Sequence, residues 1–228
     1  MNAGRTARER ARAELTDEIK AVARRQLATV GAEALSLRAI SRELGMVSSA
    51  LYRYFASRDE LLTALIIDAY NALGAAAEEA ATAGDPVEEW LAIYAAVRGW
   101  ARSYPQEYAL IYGSPISGYQ APQTTVEPAS RVPLVLLGLL QRAQAAGRLA
   151  VPDDAPEPEG LLAHQTEVLR ALAPDVPPAL LVRAVIVWTQ LFGMISFELF
   201  GQLVGSMDPA DEFFASTARQ MAAFAGLR

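Results

Sequence analysis

Apolar positions recur three and four residues apart through nearly the whole chain, and no run alternates with period two between turn signals. That pattern predicts helices throughout and an all-α fold. A first helix is expected over residues 10–30, where Leu15, Ile19, Val22, Ala23, Leu27 and Val30 share a face and Gly31 supplies the stop. A short helix follows Ser36, a candidate N-cap, with Leu37, Ile40 and Leu44 turned inward, and ends at Gly45. After Met46 and Val47 a second short helix is predicted over 48–55, pinned by Leu51 and Phe55 four residues apart. Ser57 and Glu60 then form a capping box that opens a long helix carrying Leu61, Leu62, Leu65, Ile66, Ala69 and Leu73, closed by Gly84.

Past Gly84 the chain turns acidic and aromatic. Asp85 and Pro86 start a helix holding Trp90, Leu91, Tyr94, Val97 and Ala101, and Pro105 ends it and begins another with Tyr108, Ile111 and Tyr112. Gly, Pro, Ser and Asp content marks 113–125 and 148–158 as loops around a helix at 134–146, whose start Pro128 and Pro133 leave open. Two strongly apolar helices are expected at about 178–204 and 209–225. The division into domains is expected near residue 60, giving 1–60 and 61–228. The longest uncharged apolar stretch, residues 184–197, has 14 residues, which suits a buried helix better than a membrane span. No apolar segment follows the Arg-rich start, which argues against a secretory signal, so a cytoplasmic protein with no membrane partner is the expectation.

Charge changes this picture. The 228 residues carry 20 basic and 26 acidic side chains, for a net −6, yet residues 1–60 hold 11 basic against 8 acidic ones and the other 168 hold 9 against 18. A basic N-terminal quarter points to a polyanion. An Arg-rich proteome explains the choice of Arg over Lys but not its position. Candidate chemistry is sparse. There is no Cys and a single His, His164, which removes thiolate chemistry and His/Cys zinc sites. The one lysine, Lys20, lies in no phosphate loop, and no G-x-S-x-G elbow occurs. An enzyme is not expected, and neither is a cofactor or metal. Asp153, Asp154, Glu157 and Glu159 read as a solvated acidic loop, and His164, between apolar neighbours, as a half-buried structural or pocket group.

Two short helices joined by a Gly-containing turn in the basic quarter form a helix-turn-helix candidate, against which ordinary α-packing must be weighed. Its second helix would present Ser48, Ser49, Ala50, Tyr52, Arg53 and Tyr54 outward, with hydroxyls and Arg53 reaching base edges or phosphates and Ala50 a thymine methyl. The stretch LSLRAISRELGMVSSALYRYFASRDELLTALI, residues 35–66, resembles the DNA-binding signature of the TetR family of bacterial transcriptional regulators: Gly45, Leu51-Tyr52, Phe55, Arg58 and Leu61-Leu62 stand in its order and spacing. The resemblance implies that Arg38 and Tyr52 touch phosphates, that Ser48, Ser49, Arg53 and Tyr54 face the groove, and that Arg58 clamps the DNA backbone. Two positions depart from it. Val47 stands where relatives carry a Ser or Glu cap, which would move the cap to Ser48, and Ala56 replaces a basic residue.

The strings YPQEYALIYGSP and WTQLFGMISFELFG are similar to a TetR subgroup with a Trp/Gly-containing C-terminal domain. The family implies a homodimer through the last two helices, a palindromic duplex DNA operator and a small-molecule pocket in each subunit. Many aromatics and few basic residues suit a lipophilic or aromatic effector, with candidates Trp100, Tyr104, Tyr108 and His164, joined by Trp188, Phe192 and Ile195. The reading is a ligand-responsive repressor. The alternative is a small-molecule-binding or interaction protein that keeps the fold with little operator affinity.

Overall fold

The computed structural model describes residues 7–82 and 84–228, so Arg5 lies outside the described residues. Ten α-helices and no strand occur among them: α1 Ala7–Val30, α2 Leu37–Glu43, α3 Ser48–Leu51, α4 Arg58–Ala80, α5 Pro86–Ser103, α6 Pro105–Tyr112, α7 Val126–Ala145, α8 Gly160–Arg170, α9 Pro178–Leu199 and α10 Asp211–Phe224. The chain forms two compact units, one of Met1–Ala69 with Gln106–Val126, the other of Tyr70–Pro105 with Glu127–Arg228. The compact N-terminal unit thus runs nine residues past the expected division and takes back a later segment. Three backbone crossings join the units, at 69/70, 105/106 and 126/127.

In the first unit the apolar face of α1 closes over α2, α3 and the start of α4. Ile19, Ile40, Leu51, Leu61 and Leu62 are fully buried, with Val22, Leu27, Leu37 and Phe55 nearly so. The turns follow from local chemistry. Gly31 and Gly45 adopt φ of 75° and 64°, the left-handed region a side chain resists, so each helix before them can stop within one residue. Ser36 Oγ accepts from Ala39 N at 3.4 Å, and Ser57 Oγ accepts from Glu60 N at 3.1 Å while the Glu60 carboxylate accepts from Ala56 N at 2.6 Å. Leu110, Ile116 and Tyr119 of the returning segment pack against this core, and Tyr119 Oη lies 2.9 Å from Thr63 Oγ1.

The second unit is a bundle built on α5, α9 and α10. Trp90 and Tyr94, both fully buried, stack at 4.8 Å; Trp90 Nε1 donates to Ala218 O at 3.0 Å and Tyr94 Oη to Val187 O at 3.1 Å. Burial pushes the Tyr94 phenol far up, so it stays a neutral donor. Arg98 forks onto Glu198 with two bonds of 2.7 Å and reaches Asp211 at 2.7 Å, tying α5 to α9 and α10. Several elements differ from expectation: α3 covers only Ser48–Leu51 of the expected 48–55, and α9 stops at Leu199, short of 204. The helix α7 runs through Pro133, which the pattern had left as an uncertain start, and α8 occupies 160–170, for which the pattern gave no helix. By length and composition α4 and α9 could each cross a membrane, but about half of each is buried inside the protein, as core helices are.

Candidate nucleic-acid interface and effector cavity

Of the residues expected on the outer face of the helix-turn-helix, Arg38, Ser49, Tyr52 and Arg53 are exposed, Tyr52 to 46%. Ala50 is half-buried. Three others are turned to internal use. Ser48 Oγ pairs with the buried Ser41 Oγ at 3.1 Å, which locks α3 onto α2. It does not cap α3; Val47 holds the cap position, with no side-chain hydrogen bond there. Tyr54 packs half-buried against the core, and the Arg12 guanidinium sits 5.1 Å over its ring while donating to Arg53 O at 3.2 Å. Arg58, expected to clamp DNA, donates instead to Ala32 O at 2.8 Å and Glu33 O at 3.2 Å, so its fork holds the turn between α1 and α2.

Partners also sort the basic residues. Lys20 and Arg24 bond to Asp68 at 3.0 and 2.7 Å, and Arg25 to Glu43 at 2.7 Å, so the cations in the middle of α1 are neutralised at home. Among the described residues of the basic quarter, Arg8, Arg10, Arg12, Arg38, Arg42 and Arg53 are exposed without an acidic partner. Arg42 was missed from the sequence. It follows Arg38 by one helical turn on α2, and since Leu37 and Ile40 point inward, the spacing that finds Arg38 outward finds Arg42 too.

Residues 19–65 match the model of bacterial regulatory proteins of the tetR family, and residues 90–221 match that of the tetracyclin repressor-like C-terminal domain. The chain belongs to the TetR family. It is similar to the HTH-type transcriptional regulator Rv1816 of Mycobacterium tuberculosis, 39% identical over 225 residues that cover 96% of this chain and 95% of that protein, and equally to Mb1846 of Mycobacterium bovis. Among solved structures it resembles the regulatory protein SCO4313, 35% identical with a TM-score of 0.78, covering 96% of this chain and all of the other. A protein of unknown function from Rhodococcus sp. RHA1, 24% identical with a TM-score of 0.69 over 93% of this chain and 95% of its own, shares the fold. TetR-family membership makes the protein a helix-turn-helix transcriptional regulator and not an enzyme.

Among the effector candidates, Tyr108 is fully buried and belongs to the first unit, and Trp100, Tyr104, Trp188, Phe192 and Ile195 belong to the second. Tyr104 is half-exposed against nearly buried Trp100, with ring centroids 5.7 Å apart, and Phe192 and Ile195 are core residues of α9. His164 is exposed on α8, not half-buried, because the apolar neighbours that suggested burial are themselves exposed: Leu161 to 72% and Val168 to 70%. Trp188 does line a cavity of about 240 Å³ between α7, α8 and α9, together with Leu134, Leu137, Leu169, Leu172 and Val185. No His, Cys, Asp and Glu cluster among the described residues could hold a metal, and Asp154 of the acidic loop is engaged by Arg183 at 2.8 Å.

Proposed function

We propose that the protein is a cytoplasmic, ligand-responsive repressor that binds a palindromic operator as a homodimer, with residues 1–60 contacting DNA and 61–228 serving ligand binding and dimerisation. The observation that carries the DNA reading is the split among its cations: those of mid-α1 are spent on acidic partners, while Arg38, Arg42 and Arg53 stay exposed on α2 and beside α3. Ser49, Tyr52 and Arg53 then read the groove with Ala50, Arg38 and Arg42 hold phosphates, and Ser48, Tyr54 and Arg58 position the helix. With Arg38 and Arg42 on phosphates in each subunit the dimer neutralises about four, so log affinity should fall with log salt at a slope of about −4. Operator fragments titrated between 50 and about 200 mM salt test this; a slope near zero, or equal binding to scrambled duplex, would favour the alternative of an interaction protein that kept the fold.

The dimer reading rests on α8 and α9. Leu161, Val168, Ile186 and Phe197 stand exposed there, large apolar side chains on two helices that pack against each other. By contrast α10, expected to share the interface, turns Phe214, Ala218 and Ala222 inward and leaves Asp211, Glu212, Ser216, Arg219 and Gln220 outside. A face shared between two copies on a two-fold axis would set the recognition helices about 34–36 Å apart, one turn of duplex. Sedimentation of Phe197→Asp should give monomer where the parent gives dimer.

A further inference from the structure

The cavity between α7, α8 and α9 runs from a buried floor to a bare rim. Ala184 and Leu136 at the floor are 6% and 2% exposed, whereas Leu134, Leu172 and Val185 at the rim are 42%, 53% and 38% exposed. Its volume is about 240 Å³, the space of about eight waters, yet its lining is almost wholly apolar. Water gains few hydrogen bonds in such a place, and empty space there forfeits dispersion contacts. No charged side chain is among the lining residues, so a carboxylate or phosphate would lose its hydration without a cation to meet it. The ring of Trp188 forms part of the wall, while its Nε1 is buried away from any accessible space and offers the cavity no donor.

We propose that this cavity binds an uncharged lipophile with an alkyl or aryl body, and that a second copy of the chain closes its mouth. The apolar wall takes the body, and no charged side chain is there to meet an anion. The closure follows from where the rim lies. Leu172 and Val185 at the rim are exposed, four residues after the exposed Val168 and one before the exposed Ile186, at the end of α8 and on α9, to which the homodimer is assigned above; this part rests on that assignment. A guest sealed under the partner is linked to dimerisation, and linkage is reciprocal: whatever factor the dimer adds to guest affinity, the guest adds to dimer affinity.

The probe is 2-decanone, with decanoate at pH 8 as its charged counterpart, titrated calorimetrically into the full chain. The ketone should bind at least tenfold more tightly than decanoate. Filling the floor by Ala184→Leu should abolish uptake, and Val185→Phe at the tolerant rim should weaken it at least fivefold if the floor variant does not fold. Equal binding of ketone and decanoate, or uptake untouched by both filling variants, overturns the ligand assignment. Sedimentation with saturating ketone should lower the dimer dissociation constant at least tenfold. A dimer whose constant ignores the ketone, or one that expels it because the partner's own side chain enters, overturns the closure. A chain that stays monomeric at all concentrations while binding the ketone instead overturns the homodimer assignment and leaves the cavity assignment standing.

Discussion

Arg12 holds the turn that follows α3. Its guanidinium covers the Tyr54 ring and donates to the Arg53 carbonyl, so one side chain of α1 fixes both residues that follow Tyr52. An exposed cation–π contact contributes about 0.5–1 kcal/mol and a hydrogen bond from a charged donor about 1.5–3 kcal/mol, enough to order a turn that lacks a side-chain cap at Val47. Arg12→Ala should therefore weaken operator binding about tenfold with the salt slope unchanged, because a looser helix loses base contacts and no phosphate partner. Arg42→Ala should do the reverse: similar discrimination between operator and scrambled duplex, with a slope flatter by about one unit per subunit. Both come from the same titration series, and a flattened slope for Arg12→Ala would move that residue into the phosphate set.

At the scale of elements, the tie between α5 and α10 shows how charge adds to packing. The hydrogen bond from Arg98 holds the Asp211 carboxyl below its usual 3.8, with Arg98's charge next and Arg102 contributing less. A depressed folded pKa means the stabilisation is fully present above pH 3.8 and disappears as pH falls through the lower folded value. Asp211→Asn should thus lower the melting temperature at pH 7 and make progressively less difference as pH falls below 3.8, as thermal scans across that range would read. Most helices and their caps were legible because they follow from local chemistry: Ser36, Asp85, Gly31 and Gly45 act where the sequence puts them. Pro133 misled because its cost is local and its compensation is not. Losing one helical bond costs about 3 kcal/mol, while α7 buries Val132, Leu136, Leu137, Leu139 and Leu140, each worth about 1.5–3 kcal/mol. The helix α8 was missed, and His164 misplaced, for a related reason. A run of apolar residues shows that a face will be covered but not that the cover is this chain's own core. The outward set of α3 failed at Ser48 and Tyr54 because a four-residue helix lets its neighbours α1 and α2 claim side chains that spacing alone turns outward.

For the whole molecule, control of DNA by a ligand requires that the two states differ in ligand affinity, by about 5.5 kcal/mol to swing a population from 99:1 to 1:99. The long α4 would be the natural connection if it were the sole crossing between the units, but the chain crosses three times, and the segment between the second and third crossings is in the same compact unit as the helix-turn-helix. That segment contains nearly all of α6 and is fastened to the helix-turn-helix by Tyr119 Oη on Thr63, by Glu107 3.8 Å from Arg24, and by Leu110 and Ile116 against the core. A pull on the backbone at Pro105 or Val126 therefore reaches α1 and α4 through packed side chains, not through α4 alone. Tyr119→Phe removes the hydrogen bond to Thr63 and keeps the ring in place, so the effector-free protein should bind its operator within about twofold of the parent. What should fall is the response. If a bond worth about 1 kcal/mol is made in one state and lost in the other, the ratio of operator affinities with and without effector should shrink about fivefold. Operator titrations of parent and Tyr119→Phe with and without saturating effector measure that ratio; an unchanged ratio would remove the Tyr119–Thr63 bond from the coupling.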